Sequence, residues 1–520
     1  NNFFGNSAGC FNTTGTSNNF LGNSAGFSNT TGTHNNFLGF CAGYFNTSGG
    51  YNNFLGFGAG LSNTTGCANN FFGFYAGRCN TTGNYNNFLG ANAGLSNTTG
   101  TDNNFLGLNA GRCNTTGNYN NFLGCGAGRF NTTGGCNNFL GIQAGYCNTT
   151  GNNNNFLGRY AGFSNTTGSC NNMIGRGAGQ CATVTGLHNT FLGTYAGKCA
   201  SGSGSYNNFL GFCAGFWNTS GTNNNFLGNS AGKCNTTGSC NNFIGPSAGF
   251  NNTTGNNNTF LGNKAGLSNT TGTRNNFFGF CSGYYNTSGN DNIFQGYFAG
   301  QNNTTGSSNF FAINCAGLSN TTGSCNIFLG YNAGRNSTGN RNIFFGQGAG
   351  CDLTAGDKNI ALGYNVQLPD PIGNNQLVIG VDADTWINGN SSYNVGIGTT
   401  NPQYKLHVVG DFAATTKSFV IPHPTKPGLT LRHGNLEGPE NAVYVRGKTT
   451  ESVIPLPDYW TGLVDEDSIT VNLTAKNGKL HSVVDVSNNN VEVECIDGEI
   501  DCYFMILGER KDVAKLTTEY

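Results

Sequence analysis

Along the first 350 residues apolar side chains come in adjacent pairs, with neither the three-to-four spacing of a helix nor the sustained alternation of a long strand. The pairs recur with a fixed period. Asn1-Asn2-Phe3-Phe4-Gly5-Asn6-Ser7-Ala8-Gly9-Cys10-Phe11-Asn12-Thr13-Thr14-Gly15-Thr16-Ser17 is followed by Asn18-Asn19-Phe20-Leu21-Gly22, and N-N-F-L-G-x-x-A-G-x-x-N-T-T-G-x-x returns at 35, 52, 69, 86 and onward to 342. There are 21 copies through Lys358. Two of them, 171–188 and 189–206, have 18 residues and lose the N-T-T-G; 326–341 has 16. Degenerate turns continue at Asn359-Ile360-Ala361-Leu362-Gly363, Gln376-Leu377-Val378-Ile379-Gly380 and Asn394-Val395-Gly396-Ile397-Gly398.

Seventeen residues are too few for a helical-hairpin repeat or a propeller blade, but they suit one coil of a parallel β-solenoid with two short strands and glycine corners. Identical residues then stack about 4.8 Å apart, and about two dozen coils make a rod on the order of 100 Å long. Gly5, Gly9 and Gly15, with their copies, are the expected corners because glycine takes positive φ without a Cβ penalty. Pro246 falls just after a corner glycine, where an N–H is least needed. Motif positions 3 and 4 are both apolar (Phe20-Leu21, Phe37-Leu38, Phe54-Leu55, Phe71-Phe72), yet neighbours on a strand point to opposite faces. One column fills the coil and the other faces outward. An exposed apolar stripe of that length calls for another chain to cover it, and three chains around a threefold axis would do so.

Composition agrees with an all-β repeat. Glycine accounts for 84 of 520 residues, which together with abundant Asn excludes a helical protein. The 41 Phe and 20 Tyr exclude a solvated coil, and apolar runs are too short to cross a membrane as helices. The net charge of −1 conceals a split: 1–358 carry 12 Lys/Arg and 4 Asp/Glu, whereas 359–520 carry 11 and 20. The reading is a regular shaft over 1–358, degenerate coils and a junction over 359–402, and an acidic β-rich tip over 403–520. In the tip Lys405–Val409, Ser418–Ile421, Ala442–Arg446, Ser468–Leu473, Leu480–Val486, Val491–Cys495 and Tyr503–Leu507 read as strands of a sandwich-like domain. The chain begins at Asn1, without a charged and apolar leader, which suggests a fragment or processed product.

The phrase N-x-F-L-G-x-x-A-G with a following N-T-T-G resembles the head repeats of trimeric autotransporter adhesins and repeat arrays of bacteriophage tail fibres. The resemblance covers 1–398 and implies a trimeric, left-handed parallel β-roll, although the period here exceeds the usual adhesin-head repeat. Asn394-Val395-Gly396-Ile397-Gly398-Thr399-Thr400-Asn401-Pro402-Gln403-Tyr404-Lys405-Leu406-His407-Val408 resembles the V-G-I-G-T-x-x-P-x-x-K-L-H-V junction of phage tail-fibre proteins, which often precedes a self-cleaving chaperone of the endosialidase type. No long helical segment of that kind follows. Instead Lys417-Ser418-Phe419-Val420-Ile421-Pro422-His423-Pro424, Leu429-Thr430-Leu431-Arg432-His433-Gly434, Tyr444-Val445-Arg446-Gly447, Pro457-Asp458-Tyr459-Trp460 and Gly508-Glu509-Arg510-Lys511-Asp512 resemble a C-terminal module of fibre-like proteins of cyanophages and large aquatic viruses.

Candidate chemistry is sparse. Of 20 cysteines, Cys79, Cys113, Cys147 and Cys181 share a column but lie two coils apart, beyond disulfide reach. Cys181 with Cys199, in consecutive coils, and Cys495 with Cys502, across a hairpin turning at Gly498-Glu499, are the candidate bridges; buried thiols are the alternative. The N-T-T triplets read as glycosylation sequons or as Asn and Thr ladders at a coil corner. Adjacent threonines also raise ice binding, although only one of each pair can face outward. Positions 6, 7, 10, 11, 16 and 17 vary freely and are the candidate binding columns. Position 10 carries Phe27, Tyr44, Phe163, Phe216, Phe250 and Tyr284, with Arg78, Arg112, Arg129, Lys198 and Lys233; position 6 carries Phe40, Phe57, Phe74, Phe212 and Phe280. These are candidates for stacking on sugars and meeting acidic glycans, or for packing as corner ladders.

No phosphate loop, H-E-x-x-H, C-x-x-C or G-x-S-x-G motif occurs, so no enzyme and no cofactor are expected; His423, His433, Glu437 and Glu440 form at best a weak metal set. The expectation is a homotrimeric viral or phage fibre at the virion surface, attaching to a host glycan or receptor. It would meet other virion or baseplate proteins through an N-terminal part missing here, and no nucleic acid. The alternatives are a cell-surface adhesin or extracellular filament, and a monomeric ice- or polysaccharide-binding solenoid.

Overall fold

The computed structural model describes residues 1–515 except 182–184, 201, 416–417, 435–437 and 477. The chain divides into two compact units, Asn1–Val409 and Gly410–Tyr520. The first is a parallel β-solenoid of about 22 coils of 17 residues. Each coil contributes one three-residue strand, from Asn2–Phe4 to Ile360–Leu362. Register is one repeat per step: Asn2, Phe3 and Phe4 face Asn19, Phe20 and Leu21, and the pattern persists to Leu377–Val381. Two antiparallel pairings then carry the sheet through Asp384–Gly389 to Val395–Ile397, and Leu406–Val408 adds a last parallel strand. That strand, read from sequence as the start of the tip, belongs to the shaft, so the units divide at 409/410 rather than at 402/403.

One strand per coil, where two were expected, follows from the N-T-T-G segment. The N–H groups of Thr13, Thr14 and Gly15 all donate to the Thr30 carbonyl, at 2.9, 3.1 and 3.2 Å. Three donors on one acceptor draw the backbone into a tight corner instead of a ladder. Asn12 closes the same corner by donating from Nδ2 to the Gly15 carbonyl, 3.0 Å. Gly15 accordingly lacks the positive φ expected of it; a Cβ there would collide with the Gly32 carbonyl and the Asn12 side chain. Gly5 and Gly9 do take positive φ, +137° and +58°. Two further residues per coil, at positions 7 and 17, adopt left-handed φ although most are not glycine, as in Tyr75 (+53°) and Tyr85 (+57°). Pro246 costs no ladder bond, and its carbonyl accepts from Lys264 N–H at 2.9 Å.

The interior pairs an aromatic column with polar ones. Position 3 is fully buried from Phe20 to Phe344, and except at Met173 successive rings stack 4.8–4.9 Å apart and nearly parallel. Stacking at this offset is favourable, and each ring removes a large apolar area from water. The Ala column at position 8 is equally buried. Asn at positions 1 and 12 is also buried, which is tolerable only because its amides are satisfied. Asn46 Nδ2 donates to Asn29 Oδ1 at 2.8 Å and to the Gly49 carbonyl at 2.9 Å, and Asn35 Nδ2 reaches the same carbonyl at 2.9 Å.

Among its described residues the second unit holds three small antiparallel sheets. One pairs Ser418–Pro422 with Thr430–Gly434; a second sets Cys502–Glu509 between Ala442–Thr449 and Thr470–Ala475; a third sets Asn490–Cys495 between Val453–Pro455 and His481–Val486. A single core of Val443, Ile454, Trp460, Leu463, Val491, Val493 and Ile506 lies among them. Thr430–Gly434 and Val453–Pro455 were not read as strands from sequence. The four-residue turn Trp460–Leu463 is the only α-helix among the described residues, and no helix is long and apolar enough to cross a membrane.

Candidate functional site

The two apolar positions of each strand separate as alternation requires. While position 3 is sealed, position 4 faces outward and is partly exposed, Leu21 at 41% and Phe345 at 56%. From Phe4 to Ile379 this column holds no charged residue. Position 2 lies on the same side and begins as an Asn ladder, Asn19 Nδ2 donating to Asn36 Oδ1 at 2.8 Å. After Asn276 it becomes Ile293, Phe310, Ile327, Ile343, Ile360 and Leu377, so the outward face turns apolar toward the C-terminal coils, with Gln295 the one polar residue in the position 4 column.

The position 10 candidates are half-buried, Arg78 excepted, and pack mainly on one another. Phe27 stacks on Tyr44 at 4.8 Å, and Tyr146 on Phe163 at 5.0 Å. Tyr284 and Phe216 meet Tyr285 and Trp217 edge-on. Phe250 lies beneath Lys233, 5.2 Å from its Nζ, and Arg78 sits 4.6 Å over Tyr75. Arg129 lies over Phe130 and Tyr146 and donates from Nη1 to the Tyr146 hydroxyl, 2.8 Å. Arg112 is half-buried in the same column. The more exposed aromatics are at position 6 (Phe40, Phe57, Phe74, Phe212), position 11 (Phe45, Trp217) and position 17 (Tyr51, Tyr85, Tyr119). Position 17 is one of the variable columns, but nothing in the sequence marks its tyrosines, because a left-handed backbone exposes them and that conformation has no aromatic signature.

The candidate cysteines are thiols, as are all 20. Burial and then neighbouring Cys181 push the Cys199 thiol up. Cys495 and Cys502 do not face each other across a hairpin: Cys495 pairs with His481, Cys502 with Thr449 and Ala475, in two different sheets. In the regular coils after the first, the N-T-T asparagines are fully buried with Nδ2 already donating, so they are ladder groups and not accessible sequons. Thr at position 13 donates onward, Thr30 Oγ1 to the Thr47 carbonyl at 3.0 Å, which leaves the outward threonine at position 14.

In the second unit His423 and His433 both meet Tyr459 edge-on, and His433 stacks on Phe419 at 5.4 Å. Glu440 is exposed, and Glu437 lies outside the described residues. No group of metal-binding side chains forms among the described residues. A groove of about 700 Å³ opens instead on the outer face of the Cys502–Glu509 sheet, where Tyr503 and Met505 are flanked by Arg446, Lys448, Asn472 and Thr474. Lys448 and Lys476 share Asp501 at 3.5 and 3.4 Å. Comparison with protein-family models, curated proteins and solved structures returned no match. The geometry therefore carries the functional argument: a long charge-free apolar face, an aromatic and basic edge, and an open groove with an aromatic floor.

Proposed function

We propose that the protein is a structural fibre of the viral or phage kind, built from three copies around a threefold axis and serving attachment to a host surface. The carrying observation is the position 4 column, uncharged from Phe4 to Ile379 and partly exposed in coil after coil. Covering a half-exposed Leu contributes on the order of 1 kcal/mol, and the column offers an apolar rung in every coil except those of Gln295 and the buried Ala312. A partner that covers every rung needs the same 4.8 Å period, which another copy of this chain has by construction. We keep a sandwich-like tip as part of this reading, supported by the core its small sheets share, and its groove offers Tyr503 as a stacking surface with Asn472, Thr474 and Arg446 as hydrogen-bonding groups, a set that suits a sugar. The motif resemblances described above point the same way.

The test is mass in solution. Light scattering is expected to give three times 54.5 kDa for the chain, and the triple variant Leu89→Lys, Leu123→Lys, Leu157→Lys is expected to dissociate. A wild-type chain that remains a single 54.5 kDa species at micromolar concentration would sink the reading.

A further inference from the structure

Residues 69–240, coils 5 to 14, contain seven basic residues and one acidic one, Asp102 at position 17. All seven cations (Arg78, Arg112, Arg129, Arg159, Arg176, Lys198 and Lys233) sit at position 6 or 10. Those positions share one edge of the coil, because residues 5 to 11 fold as successive tight turns: Ala76 N–H donates to the Gly73 carbonyl and Arg78 N–H to the Tyr75 carbonyl, 3.2 and 3.3 Å. Six of the seven lie over an aromatic ring: Arg78 on Tyr75, Arg129 on Tyr146, Arg159 on Tyr160, Arg176 and Lys198 on Tyr195, and Lys233 on Phe250, at 4.5–5.8 Å. None has an ion-pair partner; the one shaft ion pair among the described residues is Arg274–Asp291, outside this stretch. The rings hold long cationic side chains in place, which lowers the entropy lost when a ligand arrives.

We infer that this edge is a binding track for a linear acidic polysaccharide laid along the shaft. The inference rests on the attachment reading and names its ligand. Cations recur every one or two coils, so along the solenoid axis neighbouring charges are about 5 or 10 Å apart over about 43 Å. A sugar unit in an extended glycan is about as long as one coil is thick, so a carboxylate or sulfate on every sugar or every second sugar keeps step with them. Double-stranded DNA, with a charge every 1.7 Å or so, is far too dense for this spacing. A single strand would need free ring faces for successive bases, and here cations lie over Tyr75, Tyr146, Tyr160, Tyr195 and Phe250 while the exposed position 6 rings, Phe74 and Phe212, stand eight coils apart.

The experiment compares the full chain with two triple variants of equal net charge, using biolayer interferometry on immobilised polygalacturonate, neutral dextran and oligo-dT. The wild type is expected to bind polygalacturonate, more weakly as salt rises, and to bind dextran and oligo-dT at least tenfold more weakly. Arg78→Gln with Arg112→Gln and Arg129→Gln is expected to lose at least tenfold, whereas Arg274→Gln with Arg341→Gln and Lys358→Gln, in the position 17 column, is expected to keep its affinity. The charge-preserving set Arg78→Lys, Arg112→Lys, Arg129→Lys should retain binding, which separates charge from folding. Equal losses in the two Gln triples, a Lys set as weak as the first Gln triple, or equal binding to dextran or oligo-dT would each overturn the proposal. So would a chain that adheres to host cells but not to acidic polysaccharide, an outcome that leaves the attachment reading standing.

Discussion

The Asn ladder makes a prediction that an aromatic core alone would not. Asn131, fully buried, donates from Nδ2 to Asn114 Oδ1 at 2.7 Å and to the Gly134 carbonyl at 2.9 Å, and accepts from Asn148 Nδ2 at 2.7 Å. Asn131→Asp keeps the shape and replaces two donated hydrogens with an oxygen facing two acceptors. Two lost bonds cost about 1 kcal/mol each and the orphaned Asn114 oxygen about 1–3 more. Burial beside acceptors also raises the pKa of the new carboxyl, so at neutral pH the total is about 5 kcal/mol. The folded chain then holds the proton more tightly than the unfolded chain, whose Asp titrates near 3.9 or so. Stability is therefore greatest below that value and is lost as pH rises through the raised folded pKa.

Hydrogen exchange on the full chain is the suitable assay, because a coil array opens locally. The opening free energy of coils 7–9 should fall by about 5 kcal/mol at pH 7 and by less at pH 4, with coils 1–3 unchanged. Asn131→Ala, which loses both donated bonds and the one accepted from Asn148 but adds no charge, should cost about 3 kcal/mol at both pH values. An Asp variant within about 0.5 kcal/mol of wild type at pH 7, or one with the same deficit at pH 4 and 7, would refute the argument.

Two more outcomes follow. Ile313 stands where other coils have the position 5 glycine, and a β-branched residue at φ +78° is strained; Ile313→Gly should slow exchange in coils 18–20 by a free energy of about 1 kcal/mol, and faster exchange would contradict this. Burial and then Arg510 hold His433 below its ordinary pKa, so the unfolded chain binds the proton more readily and the second unit should lose stability as pH falls below about 6.5. Exchange in Ser418–Pro422 and Thr430–Gly434, corrected for intrinsic rate, should quicken from pH 7.5 to 5.5, and His433→Phe, which keeps the stack on Phe419, should abolish the change; a variant with undiminished pH dependence would rule His433 out.

Much of the shaft is legible because its period fixes register: once Phe20 faces Phe37, every other position is placed, and strand alternation sends Leu21 outward. The corner at N-T-T-G is legible from Gly15 and the Asn-Thr columns, but the lack of a second strand is not. Its threonines have strand propensity, and only the convergence of three N–H groups on one carbonyl shows that no second strand forms. The left-handed residues at positions 7 and 17 left a faint trace in Gly58, Gly126 and Gly177, and in Asn and Asp at position 17, hidden by tyrosine and cysteine in other coils. In the tip nothing repeats, so Thr430–Gly434 and Val453–Pro455 had only local propensity to announce them, and the groove around Tyr503 depends on strands brought together from three separate stretches.

Conserving the interior while freeing the surface has a structural price that shows where the repeat breaks. The column of position 12 amides passes a hydrogen bond from coil to coil only while each coil supplies an Asn. Asn165 Oδ1 and Asn320 Oδ1 are both buried without a partner, and each immediately precedes a coil of irregular length. In the 16-residue coil Ser337 takes the Asn column and its Oγ is unsatisfied as well, while the first 18-residue coil also replaces the ring at position 3 with Met173. The aromatic and amide columns therefore weaken together at coil 11, and the amide column again at coil 20. Between these joints the core is nearly invariant, so one coil's surface residues can be exchanged for another's at little cost to the interior. That independence is what allows five of the seven cations, all but Arg176 and Lys198 of the two 18-residue coils, to sit on one edge over unbroken Phe and Asn columns.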